Sequence, residues 1–346
     1  MNISVVGASG DIGREVVTKL VEMRAMDHEA TLQLVGRSEG RSSSFLFGLM
    51  SDILDAHAEI SPRLEIALEP QGVRGDVVIF CAGETIPTDP HTLKDRASLA
   101  EANAPVFRDY AEAIARNGHN EQIIIIVSNP VELAVHIFAK YIDPKRVIGM
   151  GSFLDTIRFR REIAEDLGVR RQRVRGLVVG QHGPGMVPLW STVGVYGFDN
   201  EAGRAKLNEV RLRNRVPAGQ AMQMAKDLIL ANKAGEALDK VQHLPPDLRV
   251  LVEPFIAHLT GAKTRVGTSE IVLRLVETIS MGTEVMTACQ AKVDGEFLGV
   301  HSVIGVPILL SNQGIVEILP LPVSDEEEKE FKLSAERINE FLANYR

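Results

Sequence analysis

The seven residues Gly7-Ala8-Ser9-Gly10-Asp11-Ile12-Gly13 constrain this chain more than any other stretch. They follow directly on residues 2–6, a short and mostly apolar run that reads as a strand. A helical pattern begins at about Asp11 and continues to about residue 26. Three glycines between a strand and a helix have separate uses. Gly7 permits a tight turn, Gly10 lets backbone come close to a ligand, and Gly13 lets the helix pack on the strand. The helix's first N–H groups have no partner within the helix, so they face whatever occupies the turn and favour an anion. The pattern implies a seat for a dinucleotide pyrophosphate. The spacing is GxxGxxG rather than GxGxxG, so on its own the motif also fits an ordinary βα turn.

The following 130 residues repeat the alternation. Apolar runs at 32–35, 76–81 and 122–127 read as strands, each ending in small or polar residues: Gly36-Arg37-Ser38, Ala82-Gly83 and Ser128-Asn129-Pro130. Helical periodicity covers 99–117 and resumes after Pro130 with Leu133, Val135 and Ile137. Near-continuous apolar strands joined by helices imply a parallel sheet covered on both faces. Ligands of such sheets sit past the carboxyl ends of the strands. Beyond about residue 150 the pattern changes. A helix at 156–167 precedes a strand-like run at 174–179, residues 200–260 are helical but poorly delimited, and 266–281 is a helix. Strand-like runs at 284–293 and 304–310 meet turn signals at Asp294-Gly295 and Asn312-Gln313-Gly314, and 324–345 is a charged amphipathic helix. The expected fold class is α/β, with a Rossmann dinucleotide-binding domain over 1–150 and a mixed α+β catalytic domain over 151–346.

At 346 residues and 45% hydrophobic content, the chain can bury a full core in two domains. A formal charge of −8 argues against a general nucleic-acid binder. The apolar run at 123–127 is too short to cross a bilayer, and no basic-then-apolar leader opens the sequence. Cys81 and Cys289 are the only cysteines and lie in apolar surroundings, which suits buried thiols in a reducing, cytoplasmic setting. The histidines lack close ligand spacing, so no metal site is expected.

A dinucleotide fold that selects a free ribose 2′-hydroxyl ends its second strand in Asp or Glu. Here Gly36-Arg37-Ser38 stands there, with Arg41 nearby and Glu39 too late in the chain. Arginine and serine can hold a 2′-phosphate, so NADP is favoured and NAD remains possible. A second group of residues suggests chemistry. His182 lies in Gly180-Gln181-His182-Gly183, after the strand-like run, where it can exchange a proton with substrate. Asp155 and Arg158, three apart at an expected helix start, project from one side. Asp155 can hold one imidazole nitrogen, and Arg158 can clamp a carboxylate. The competing reading makes Asp155 a cap and Arg158 part of a surface ion network. Arg96 follows a loop that can exclude water and bring charge to an oxyanion. Asn129, past a strand end, can bond a substrate oxygen.

Together with these residues, the chain resembles the malate/L-lactate dehydrogenase family over nearly its whole length. The matching segments are GASGDIG (7–13), Ala82-Gly83, DRASLAEAN (95–103), SNP (128–130), LDTIRFR (154–160), GQHG (180–183), MVPLWS (186–191), VDGEF (293–297) and GVP (305–307). The resemblance implies reversible hydride transfer between a 2-hydroxy acid and its 2-oxo acid, in a homodimer or homotetramer. It makes His182 the proton donor and acceptor, Asp155 its partner, Arg158 the ligand of the substrate's C1 carboxylate, and Arg96 the loop arginine that polarises the carbonyl. Asn129 would hold the substrate oxygen. The coenzyme residues would be Gly7, Ser9, Gly10, Asp11, Ile12, Gly36, Arg37, Ser38, Arg41, Ala82, Gly83, Asn103, Ser128 and Asn129. Two departures stand out. The family's Pro-Arg pair after Ala-Gly, whose arginine binds a distal carboxylate, is missing, because residues 84–94 contain no arginine. The family's HGD is His182-Gly183-Pro184. Lys94 or His91 could replace the lost charge, whereas Glu84 and Asp89 would repel a dicarboxylate unless they point away. The acid is therefore malate, or a lactate-like, sugar-acid, sulfo- or phospho-substituted relative.

Overall fold

The computed structural model describes residues 1–88, 96–261 and 263–345. Its N-terminal half alternates strand and helix: β1 (Ile3–Val6), α1 (Asp11–Glu22), β2 (Thr31–Val35), α2 (Ser42–His57), β3 (Arg63–Ala67), β4 (Val77–Phe80), α3 (Arg96–Asn117), β5 (Ile123–Ile126), α4 (Val131–Phe138) and β6 (Val147–Gly149). The strand order is β3-β2-β1-β4-β5-β6, all parallel. The order in which the chain adds strands reverses between β1 and β4, and the carboxyl ends on either side of that switch open a crevice. Side chains of β1, β4 and β5 are buried on both faces, as their unbroken apolar sequences require.

The C-terminal half comprises α5 (Gly151–Leu167), β7 (Val174–Gly180), β8 (Met186–Val195), α6 (Glu201–Leu212), α7 (Ala218–Leu230), α8 (Ala234–Gln242), α9 (Pro246–Leu259), α10 (Arg265–Met281), β9 (Val285–Asp294), β10 (His301–Ser311), β11 (Gly314–Ile318) and α11 (Asp325–Leu342). Its strands are antiparallel and continue the same sheet through β6. The bridge from β6 to β9 is the pair Gly149–Gln290. The expected fold class, a parallel Rossmann half with a mixed α+β half behind it, is what the chain adopts. Helices α7, α8 and α9 make a separate apolar core. Among the described residues, no helix is long and apolar enough to cross a membrane.

Several boundaries differ from the sequence reading. Helix α2 and strand β3 went unassigned, because the pattern of 42–67 is weak: α2 buries only Leu46, Leu49 and Ile53, and β3 is an edge strand. Helix α1 stops at Glu22, four residues before the expected end. The β9–β10 hairpin closes over a loop longer than the Asp-Gly signal implies. Helix α5 starts at Gly151, so Asp155 and Arg158 lie inside the helix rather than at its start. Helix α11 begins with a capping box, Ser324 with Glu327.

The glycine turn sits as its sequence implies. Gly7 has φ +82, and a Cβ there would meet the backbone of Ala82 at 2.8 Å. A Cβ on Gly13 would lie 2.2 Å from the carbonyl oxygen of Gly7. Gly7 and Gly13 thus serve the protein's own packing.

Candidate active site

Two adjoining cavities lie along the carboxyl ends of the parallel strands. The first, about 440 Å³, is lined by Ser9, Gly10, Asp11 and Ile12 of the glycine turn, by Ala82 and Gly83 past β4, and by Ser128 and Asn129 past β5. Gly10 occupies the N-cap of α1 and offers no side-chain cap, so the first-turn N–H groups open onto this cleft. A Cβ on Gly10 would meet only one protein atom, the Gly7 oxygen at 3.3 Å, so its glycine is not explained by crowding from the protein. The carboxylate of Asp11 would oppose an anion here, but Lys263 bonds it at 2.8 Å, and that bond holds the Asp11 pKa below its usual range. Bare N–H groups, a neutralised carboxylate and a lysine at the rim suit a pyrophosphate.

Not every expected coenzyme residue lines this cleft. Asn103 is fully buried beneath it. Its amide donates to the carbonyls of Glu84 (3.0 Å) and Asn129 (2.8 Å), and its oxygen accepts from the Glu84 N–H (2.6 Å). With those bonds made, Asn103 ties residue 84 to the turn after β5 and has no face toward a ligand. Gly36, Arg37, Ser38 and Arg41 lie past β2, outside the cavity. Arg37 is exposed, its N–H donating to the Ser42 hydroxyl at 3.2 Å. The Ser38 hydroxyl donates to the Glu69 carboxylate at 2.7 Å.

The second cavity, about 400 Å³, shares Asn129 with the first and is lined by Asp155, Arg158 and His182. Three links bring these residues together. Thr156 on α5 accepts from the Val178 N–H of β7 at 2.9 Å, which fixes the helix to the strand that leads to His182. The Ser152 N–H donates to the Gln290 side chain at 3.1 Å, fixing the helix start to β9. Gly151 supplies close approach, because a Cβ there would lie 2.6 Å from Cγ of His182. Asp155 is fully buried and accepts from two donors: Nδ1 of His182 at 2.7 Å and the Arg158 guanidinium at 3.2 Å. A carboxylate buried this far must be paired, so the capping alternative for Asp155 is set aside.

Asp155 can only accept, so Nδ1 of His182 carries its hydrogen and Nε2 is left for a ligand. Burial pushes the imidazole's pKa down. The negative charge of Asp155, its hydrogen bond and the charge of Glu132 outweigh that, and the net shift is upward. The side chain of His182 is 21% exposed and that of Arg158 15%, so both reach the cavity.

Arg96 does not join them. It opens α3, pairs with the Glu132 carboxylate and lies over the Phe341 ring at 4.9 Å. Glu132 is fully buried, and such a carboxylate captures a nearby guanidinium. Its other oxygen accepts the backbone N–H of His182 at 2.7 Å. Glu132 was missed from sequence, although a lone acid in the apolar run VELAVHIF was a usable signal. Ser334 was also missed. It accepts from the Gln181 N–H (3.0 Å) and donates to the Gly185 carbonyl (2.7 Å), holding the histidine loop against α11. No sequence-local pattern marks it. Asp89, His91 and Lys94 fall outside the described residues.

Residues 1–149 match the family model described as lactate/malate dehydrogenase, NAD binding domain. The N-terminal part of the chain is thus similar to the NAD-binding domain of lactate/malate dehydrogenases, and relatives of this kind align with nearly the whole chain. It is 28% identical over 346 residues to a malate dehydrogenase of Methanothermobacter thermautotrophicus, covering 98% of this chain and 95% of that one. It is 29% identical over 351 residues to an L-2-hydroxycarboxylate dehydrogenase (NAD(P)(+)) of Methanocaldococcus jannaschii, covering 99% and 98%. In fold it is similar to the lactate dehydrogenase of Cryptosporidium parvum, at TM-score 0.75 and 22% identity over 98% of this chain and 96% of that one. The malate dehydrogenase of Aeropyrum pernix gives TM-score 0.73 and 24% identity over 99% and 97%.

Proposed function

We propose that this chain is a dehydrogenase of the lactate/malate type that interconverts a 2-hydroxy acid and its 2-oxo acid, with His182 moving the proton and Arg158 holding the C1 carboxylate. The observation that carries this reading is the buried Asp155, bonded to both His182 and Arg158 in a cavity that adjoins the glycine-turn cleft. A bound nicotinamide supplies the hydride acceptor. The residues do the rest. Arg158 presents its fork to a carboxylate, which orients the substrate's C2. Nε2 of His182 takes the hydroxyl proton, and Asp155 steadies the imidazolium so formed. Asn129 lines both cavities and suits a bond to the substrate oxygen. No step runs through Arg96, which Glu132 holds. We assign residues 1–150 to coenzyme binding and 151–346 to substrate, in a homodimer or homotetramer of the cytoplasm. Exposed apolar side chains on α2, Phe47 and Leu54, support a contact between copies. The names of the relatives put malate among the candidate acids, together with lactate-like ones.

The preferred coenzyme is NADP, supported by Arg37 at the end of β2 and by the lack of an acid there. Glu69 favours the second reading, NAD, because its carboxylate at Ser38 would repel a 2′-phosphate. Steady-state rates with a 2-oxo acid distinguish them. NADPH gives the lower KM, and Arg37→Ala raises it about 10–100-fold, the effect of one charge-assisted bond, with little change for NADH. A lower KM for NADH, unmoved by the substitution, selects NAD.

The raised pKa of His182 sets the pH dependence. Reduction of the oxo acid needs the imidazolium, so kcat/KM is full at low pH and falls as pH rises through the folded pKa. That inflection lies above histidine's ordinary 6.5. Oxidation of the hydroxy acid gains over the same range. An inflection at or below 6.5 for reduction contradicts the Asp155–His182 pairing.

A further inference from the structure

The cavity that holds Arg158 and His182 has a second end. Its wall there comes from Val250, Leu251, Pro254 and Phe255 of α9, Met222 of α7 and Met186 of β8. Leu251, Phe255 and Met222 are half-buried: they pack against the core of α7–α9 and also line the cavity. This is an apolar surface with room in front of it.

Charge is scarce around it. Among the described residues that line the cavity, Arg158 is the single permanent cation, and Asp155 is the single carboxylate. Arg158 already faces Asp155 and is needed for a C1 carboxylate. His258 also lines the cavity, but its Nε2 lies 3.0 Å from the carbonyl of Ile86 and 3.2 Å from that of Pro87, so its N–H is engaged there. Among the described residues, a second substrate carboxylate would meet aliphatic and aromatic carbon with no partner, and a desolvated, unpaired carboxylate is strongly disfavoured.

The wall is also held in place. Arg249 of α9 is 3% exposed and bonds Glu162 of α5 at 2.6 Å and Asp166 at 3.0 Å. That buried network locks α9 to the helix that carries Asp155 and Arg158. His258 fastens the other end of α9 to residues 86–87. A preformed apolar wall at fixed distance from the carboxylate clamp selects by tail size and polarity.

We propose that the acid taken by this site carries an uncharged apolar tail, branched aliphatic or aromatic and of leucine or phenylalanine side-chain size, in place of a second carboxylate. The inference rests on the 2-hydroxyacid reading and fixes what that reading leaves open. The chemistry is unchanged: C2 of the hydroxy acid loses a hydride to the nicotinamide and its hydroxyl proton to His182, leaving the 2-oxo acid, reduced coenzyme and the imidazolium.

The test is a comparison of kcat/KM for oxaloacetate, pyruvate, 4-methyl-2-oxopentanoate and phenylpyruvate, with NADPH and with NADH. Either or both of the last two exceed pyruvate by about tenfold or more, as burial of a large apolar group implies, and oxaloacetate is the poorest. A preference for oxaloacetate, or pyruvate equal to both apolar acids, overturns the tail assignment and leaves the dehydrogenase reading standing. No turnover of any acid with either coenzyme overturns both. A second arm uses Leu251→Arg, checked for folding by thermal melting. A guanidinium in the wall raises the ratio of oxaloacetate to 4-methyl-2-oxopentanoate rates at least tenfold. An unmoved ratio in the folded variant means that the α9 wall does not meet the tail.

Discussion

Replacing His182 with alanine lowers turnover about 10²–10⁴-fold, while coenzyme binding persists. The range is that of a positioned general acid–base group. Nδ1 of His182 is fixed by Asp155 at 2.7 Å, the backbone N–H of His182 donates to Glu132 at 2.7 Å, and the ring stands against Gly151, so the imidazole is held in one position. Coenzyme binding survives because the glycine turn, Ala82-Gly83 and Ser128 form a cleft that His182 does not line. The variant also loses stability. Asp155 is left buried with Arg158 as its remaining side-chain partner among the described residues, and a lost bond to a buried charged group costs about 1–3 kcal/mol. Paired measurements of coenzyme affinity and single-turnover hydride transfer check both parts. Unreduced turnover in the variant contradicts the role of His182.

Arg158→Ala lowers kcat/KM about 10²–10⁴-fold. A carboxylate docked on a guanidinium fork gains two charge-assisted bonds, each about 1.5–3 kcal/mol, and no other permanent cation lines the cavity among the described residues. The loss falls on KM as well as on kcat, because the same contact binds the acid and aims C2. Arg158→Lys recovers the charge without the fork and restores only part of the rate. The alanine variant has a second signature. Arg158 pulls the pKa of His182 down, so its removal lets that value rise further and moves the inflection for reduction to higher pH. Steady-state kinetics across pH read both effects. A normal KM and an unmoved profile contradict the clamp.

The parallel half of the fold was legible where its strands are buried on both faces, as β1, β4 and β5 are, and where its helices follow Gly10 or Pro130. Residues 123–126 are four isoleucines, which suit little but a central strand. Edge elements were not legible. In β3, exposed and half-buried positions alternate with no apolar run, and α2 carries exposed Phe45 and Phe47 that blur its periodicity. In the site, His182, Asp155 and Arg158 were named from sequence, since each lies near a strand end or on one helical face. The expected helix start was wrong by five residues, and that error made a cap plausible for a residue that the fold buries. Asn103 and Arg96 show the limit more sharply. Their residue types suit ligand contact, yet each meets a buried partner drawn from a distant segment: Asn103 the backbone of residues 84 and 129, Arg96 the carboxylate of residue 132. Such partners depend on packing across the sheet, which no local pattern encodes. The apolar wall of α9 was hidden for the same reason, because residues 200–260 gave no clear boundaries.

The most direct measurement is a crystal structure of the protein with reduced coenzyme and oxamate, an isostere of a 2-oxo acid. The chain's geometry predicts the oxamate carboxylate on the Arg158 fork and its carbonyl oxygen within hydrogen-bond distance of Nε2 of His182. The nicotinamide C4 should lie against the oxamate carbonyl carbon. Oxamate bound away from Arg158, or His182 out of reach of both oxamate and the nicotinamide, would contradict the proposed chemistry.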